Sequence, residues 1–120
     1  MAVVPWEVVA KDGRGFLLVK WPVTGTSFAD SDTGQPFNVS QYNDKTVQVE
    51  GTLGTGVTIQ GSLDPDASAY ETLNDPQGNA LSAITNAKIE NILEHCFLVR
   101  PSLGTGVSGV TVWLLLASVR

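Results

Sequence analysis

Two stretches that alternate apolar and polar residues, joined by three residues of which two are glycine, restrict this chain more than anything else in its sequence. In residues 46–53, Val47, Val49, Gly51 and Leu53 share one face, while Thr46, Gln48, Glu50 and Thr52 share the other. A period of two places successive side chains on opposite sides of a strand, so the run reads as half-buried β-structure. After Gly54-Thr55-Gly56, residues 57–63 alternate again. Two such runs across a short glycine loop predict a β-hairpin, because glycine supplies the positive φ of a tight connection. Asp64-Pro65-Asp66 ends the second strand: proline fixes φ and aspartate accepts local backbone hydrogen bonds.

The rest of the chain reads the same way. Phe16, Leu17, Leu18, Val19 and Trp21 are apolar on both faces, as in a strand with protein on either side, and Pro22 limits its continuation. Residues 24–38 collect glycine, proline, aspartate and serine and predict a long loop ordered by a partner. Residues 70–73 and 81–85 are short strand candidates around the turn formers of 74–79. Residues 87–95 fit a helix through Ile89, Ile92 and Leu93, or a strand. Residues 96–100 read as a strand stopped by Pro101, and 110–119 as the last strand. Seven or eight short strands predict a single all-β domain over residues 1–120, an antiparallel β-sandwich or jelly roll. Residues 1–9 are its possible N-terminal arm.

The pentapeptide Leu53-Gly54-Thr55-Gly56-Val57 recurs as Leu103-Gly104-Thr105-Gly106-Val107. Two copies are too few for a solenoid. They are either two turns of the same backbone geometry or a pair of loops touching a common partner.

Only 16% of the residues are charged and 42% are hydrophobic, against about 25% charged in an average soluble protein. The formal net charge of -5 lacks the basic footprint of a nucleic-acid binder. Pro5, Trp6 and Glu7 interrupt any signal-peptide pattern, and the apolar run 110–119 is far below the roughly 20 residues of a helical membrane span. No nucleic-acid or membrane partner is therefore expected.

Catalytic candidates are few. Cys96 is the only cysteine and His95 the only histidine; on a strand, these neighbours would point to opposite faces. Asp30-Ser31-Asp32-Thr33-Gly34 resembles the start of a calcium loop, but its twelfth position is Gln41, not a bidentate carboxylate, so a solvated turn is expected. Neither glycine loop carries the lysine of a phosphate-binding loop. The expectation is a protein that is not an enzyme, with no catalytic residues, no metal and no cofactor.

The aromatic residues point elsewhere. Trp113 and Leu115 lie out of phase with Val110, Val112, Leu114 and Leu116, so a regular strand shows them on its other face. That strand is either central and covered by loops, or its second face forms a subunit interface, where large aromatics concentrate. Trp6 with Val8 and Trp21 with Val19 raise the same question. Trp6, Trp21, Trp113 and Leu115 are the candidate interface residues.

Several segments carry a resemblance: Val49-Glu50-Gly51-Thr52, Val57-Thr58-Ile59-Gln60-Gly61-Ser62, Tyr70-Glu71-Thr72-Leu73, Asn74-Asp75-Pro76-Gln77-Gly78-Asn79-Ala80-Leu81 and Phe97-Leu98-Val99-Arg100-Pro101. Residues 47–120 thereby resemble a group of small tailed-bacteriophage virion proteins, several of them head decoration, or cement, proteins. The resemblance implies a small β-sandwich or jelly roll on the capsid exterior, assembled in the host cytoplasm. It also implies contact with the major capsid protein, clamping of capsomer junctions and homo-oligomerisation, with a dimer favoured. Residues 1–9 and 24–38 are the segments expected to reach onto capsid subunits. The alternative is a carbohydrate- or receptor-binding sandwich on the tail or capsid surface, using the stretch from Gly61 to Leu73 and stacking sugars on Tyr42 and Tyr70.

Overall fold

The computed structural model describes residues 2–12, 14–66 and 68–118. They form eleven strands and no helix: β1 (Val3–Val4), β2 (Glu7–Asp12), β3 (Phe16–Trp21), β4 (Thr33–Gly34), β5 (Phe37–Asn38), β6 (Asp44–Thr52), β7 (Val57–Ser62), β8 (Glu71–Thr72), β9 (Lys88–Asn91), β10 (Leu98–Leu103) and β11 (Ser108–Ala117). One sheet has the order β1-β4-β10-β7-β8, with β5 also paired to β10, and the other has the order β2-β3-β11-β6-β9. Every ladder is antiparallel except that of β1 with β4. The protein is an all-β sandwich. Met1 of the expected arm and Val119 of the expected last strand lie outside the described residues.

The two-residue period decides what lies between the sheets. Val47 and Val49 of β6, Val112, Leu114 and Leu116 of β11, Val57 and Ile59 of β7, Val99 of β10, and Val19 and Trp21 of β3 are all buried. Each fully buried aliphatic side chain contributes about 1.5–3 kcal/mol through lost apolar hydration. Among the described residues the inward phase carries one buried cation, Lys45, opposite Leu116 in the ladder and almost wholly enclosed.

The expected hairpin is not one. β6 pairs with β11 and β9 in one sheet, whereas β7 pairs with β10 and β8 in the other. Gly54-Thr55-Gly56 is therefore an arch that carries the chain across the sandwich. The alternation is real, but the inner faces of both sheets look onto the same core, so alternation alone does not distinguish crossing from returning. The second pentapeptide is the matching arch between β10 and β11, and the two arches bond to each other. Thr55 N donates to Thr105 O at 2.8 Å, Gly104 N to Gly56 O at 2.9 Å, and Thr105 N to Thr55 Oγ1 at 2.8 Å. Shifting by the 50 residues that separate Thr55 from Thr105 carries the ladder pair Thr52↔Ser108 onto Ser102↔Thr58. The repeats are thus not hairpin turns, and each arch bonds to the other.

The expected arm and loop are also built in. Val3 and Val4 pair with Thr33 and Gly34, and β2 pairs with β3, so residues 2–9 contribute to both sheets. The segment 24–38 is ordered by the chain's own second arch. Ser31 N donates to Gly104 O, Leu103 N to Asp32 O, and Val107 N to Asp30 Oδ1. Asp32, expected in a solvated turn, is buried, and its two carboxylate oxygens accept from Ala2 N and Ala29 N. Gly34 is required there because a Cβ would lie 2.5 Å from the Pro101 ring and 2.7 Å from Trp21.

Pro101 does not stop its strand; it pairs with Ile59 within β10. On the other side of β10, β5 covers Leu98 and Val99 and β4 covers Ser102, leaving Pro101 at the break. Leu103, two residues on, donates toward that same side, so proline's missing N–H removes no ladder bond. Of the ambiguous 87–95, residues 88–91 form strand β9. Leu81 and Ile84 are buried in irregular backbone rather than in the expected strand.

Gly54 has φ +57°, and a Cβ there would sit 1.9 Å from Thr105 O, which is backbone and cannot give way. Gly54→Ala is expected to lower unfolding free energy by about 2–4 kcal/mol, combining positive-φ strain with overpacking. Gly25→Ala, where φ is also positive but nothing lies within 4 Å, should cost only about 1 kcal/mol. Urea unfolding midpoints of the two variants give the comparison.

Candidate functional site

The same alternation that fills the core sets the outer faces, and the two differ. Outside the first sheet, Thr58, Gln60, Arg100 and Ser102 are polar and partly exposed. Outside the second, Leu115 of β11 lies between Leu18 of β3 and Thr46 of β6, Trp113 lies between Lys20 and Gln48, and Gln48 neighbours Ile89 of the edge strand β9. Leu115 is 42% exposed, Phe16 48% and Ile89 61%. Leu18, Thr46, Gln48, Ile89, Trp113 and Leu115 enclose a shallow depression of about 200 Å³. β11 is thus central, and its outer side is not covered by loops.

Several polar groups on this face already have partners. Trp113 Nε1 donates to Glu50 Oε1 at 3.1 Å. Lys20 Nζ lies 5.6 Å from the centre of the Trp113 ring and 3.5 Å from Glu7 Oε1. Thr46 Oγ1 donates to Asn91 Oδ1 at 2.8 Å. The hydroxyl and the amide of Thr24 donate to Glu7, holding its carboxyl below the usual range. Covering the face therefore removes apolar surface from water without stranding these groups, and an unpaired buried polar group would otherwise cost about 1–3 kcal/mol.

Trp113 and Leu115 come together here as the sequence predicts, but the other two tryptophans do not join them. Trp21 is completely buried in the core, where Nε1 donates to Gln35 O at 2.8 Å. Trp6 packs edge-on against Phe37, with ring centres 4.7 Å apart, and donates to Pro36 O. Their indoles are used inside the sandwich, so Trp21 leaves the candidate interface and Trp6 lies apart from it. Leu18, Phe16 and Ile89 are the members that sequence reasoning missed; the first two belonged to a run recognised as apolar on both faces, the third to an unassigned segment.

A larger groove of about 440 Å³ opens at the β8 edge of the first sheet. Leu63, Ala69, Leu73 and Cys96 give it apolar walls, and Asp64, Glu71 and Glu94 stand among its lining residues. The first part, from Gly61 to Leu73, is the stretch read from sequence as ligand-binding. Residues 92–97, which cross between the sheets, supply the rest. Burial raises the Glu94 carboxyl, but donation from Asn74 N at 2.8 Å and Asn74 Nδ2 at 2.6 Å outweighs it and leaves the pKa lowered. Burial pushes the Cys96 thiol up, against the opposing charge of Lys45. His95 is exposed, with Nε2 3.3 Å from Ser40 O. Among the described residues no three His, Cys, Asp or Glu side chains converge to hold a metal ion.

The tyrosines expected as sugar platforms are otherwise engaged. The Arg100 guanidinium lies 3.7 Å from the centre of the Tyr70 ring, and Tyr70 Oη is enclosed without a hydrogen-bond partner. Tyr42 packs against the core. Comparison of the chain with protein-family models, curated proteins and solved structures finds no match.

Because the folded Glu94 pKa is depressed below its ordinary 4.5, its stabilisation is present above that value and is lost as pH falls through the folded one. Glu94→Gln keeps an acceptor for Asn74 but does not titrate. Between about pH 5 and pH 3 the variant should lose less unfolding free energy than the parent protein. Denaturant titrations at each pH measure the difference.

Proposed function

We propose that this protein is a structural component of a phage virion, a decoration or cement protein that docks on the capsid exterior and stabilises capsomer junctions. The observation that carries the reading is the outer face of the second sheet, where Trp113, Leu115 and Leu18 lie together and Ile89 lies beyond Gln48, with the polar atoms of Trp113 and Thr46 already paired. Solvent-facing sheets are ordinarily polar, and an uncovered patch of this kind is otherwise an aggregation liability. The face suits a second copy of the chain, making a homodimer whose remaining surface meets the major capsid protein.

Magnitudes favour this use. Five strands about 4.8 Å apart, all but the four-residue β9 offering six residues or more at about 3.4 Å each, make a face of at most about 500 Å², so two copies bury at most about 1,000 Å². That is the lower end of specific interfaces. A dimer of modest strength gains on a shell, where many copies act together and the effective concentration of each attachment is high. The reading assigns no reaction to the chain. His95 and Cys96 are a surface and a core residue, respectively. The carbohydrate-binding alternative has less support, since one face of Tyr70 is covered and Tyr42 is packed inward.

Cryo-electron microscopy of the virions is expected to place this protein on the outside of the head; density in the tail, or absence from mature particles, would overturn the assignment. In solution, sedimentation should give a dimer, and Leu115→Glu should weaken it at least about tenfold while leaving the thermal midpoint of the monomer nearly unchanged, since Leu115 is 42% exposed.

A further inference from the structure

The groove beside β8 shares no residue with the apolar face of the second sheet. Its volume of about 440 Å³ falls within the roughly 300–1,000 Å³ of ligand pockets, which are likewise apolar with few polar groups. Leu63 stands 77% exposed at its lip, and Leu73 and Cys96 close its inner wall. Three carboxylates and one imidazole belong to the lining, and no lysine or arginine does.

The neighbouring charges sharpen that balance. Lys45 lies behind the wall, buried, and its charge bears on Glu94 and Cys96. Arg100 is spent on the Tyr70 ring and on Gln60 Oε1, 2.9 Å from its Nε. Glu94 is thus partly compensated, and Asp64 and Glu71 are the anions left to act at the mouth. Asp64 is held in place by Ser68 and by Asp66 N, and Glu71 is exposed on the edge strand. These carboxylates are spaced around the groove rather than converging on a point, so they suit an extended organic cation.

We propose that this groove receives the side chain of an arginine or lysine presented by the protein on which the module docks. The aliphatic stem lies along Leu63 and Leu73, and the cationic head meets Asp64 and Glu71. Long basic side chains have this divided character, an apolar stem and a charged tip. The source of the side chain rests on the decoration reading; the groove's preference for an aliphatic cation does not.

The test is a nuclear magnetic resonance titration of the full chain with n-butylguanidinium, and with pentanoate and n-pentanol as anionic and neutral counterparts. Butylguanidinium should move the amide signals of residues 61–64, 69–73 and 94–96 in the millimolar range, as so small a ligand allows. Pentanoate and pentanol should bind at least about fivefold more weakly, and added salt should weaken only the cation. Ala69→Trp, which fills the groove from an exposed position, should abolish the shifts. Glu71→Gln should weaken binding about two- to fourfold, the size of an exposed charge pair, with the thermal midpoint unchanged. Equal binding of the three probes, shifts scattered away from the groove, or indifference to both variants would overturn the proposal. Absence of the protein from virions would remove the decoration reading and the source it supplies, yet leave the titration to decide the groove itself.

Discussion

The two glycine arches hold the rest of the molecule in register. Each passes the chain from one sheet to the other, and each supplies hydrogen-bonding partners for the other's backbone. That mutual bonding places β6 beside β11 in one sheet and β7 beside β10 in the other, with equivalent pairs 50 residues apart. A one-residue slip of β6 against β11 would turn Val47 and Val49, or Val112 and Leu114, to solvent. Register is therefore specified twice, once by burial and once by the arches. The segment 24–38 then fastens onto the second arch, and through Asp32 it ties down the chain's beginning.

With the interior filled by one phase of the strands, the opposite phase is free to serve another purpose. On the first sheet it is polar; on the second it is apolar along β3 and β11, while β6 shows Thr46, Gln48 and Glu50 there. This difference is not forced by folding, because the core would be equally full with polar residues at Leu18 and Leu115. It gives the low charge content a location. Charge is sparse where the chain needs both faces of a strand to be apolar, in β3 and β11, and the charges beside Trp113, namely Lys20, Glu7 and Glu50, are committed to one another or to its ring.

The sequence made the strands legible and the connections illegible for a definite physical reason. Alternation reports which side of a strand is buried, so Val47, Val49, Trp113 and Leu115 were assigned to the correct faces. It does not report which sheet a strand joins, so the arch at Gly54 passed for a hairpin. Trp21 illustrates a second limit. An indole that satisfies its N–H on a carbonyl inside the fold, as Trp21 does on Gln35, has the same sequence appearance as one displayed at a surface. Asp32 is a third case: a carboxylate surrounded by turn residues reads as solvated, but here unpaired backbone amides of Ala2 and Ala29 stabilise it inside. The groove was half legible, because Gly61 to Leu73 is contiguous while Glu94, His95 and Cys96 arrive through a crossing segment with no period of its own.

The face and the groove make different physical demands on what covers them. The face spans about 500 Å² and is apolar along β3 and β11, so association through it would depend mainly on apolar area and respond weakly to salt. The groove is concave and rimmed by carboxylates, so its occupancy falls as ionic strength rises. Because they share no residue, both can be filled at once; in the proposed decoration role one would take a second copy and the other a neighbouring subunit. An interface of about 1,000 Å² is too small to hold a particle together alone. In that role two separate contacts per copy, repeated over a shell, would multiply through effective concentration rather than through the strength of either, which is the route open to a 120-residue sandwich whose apolar face is of modest area.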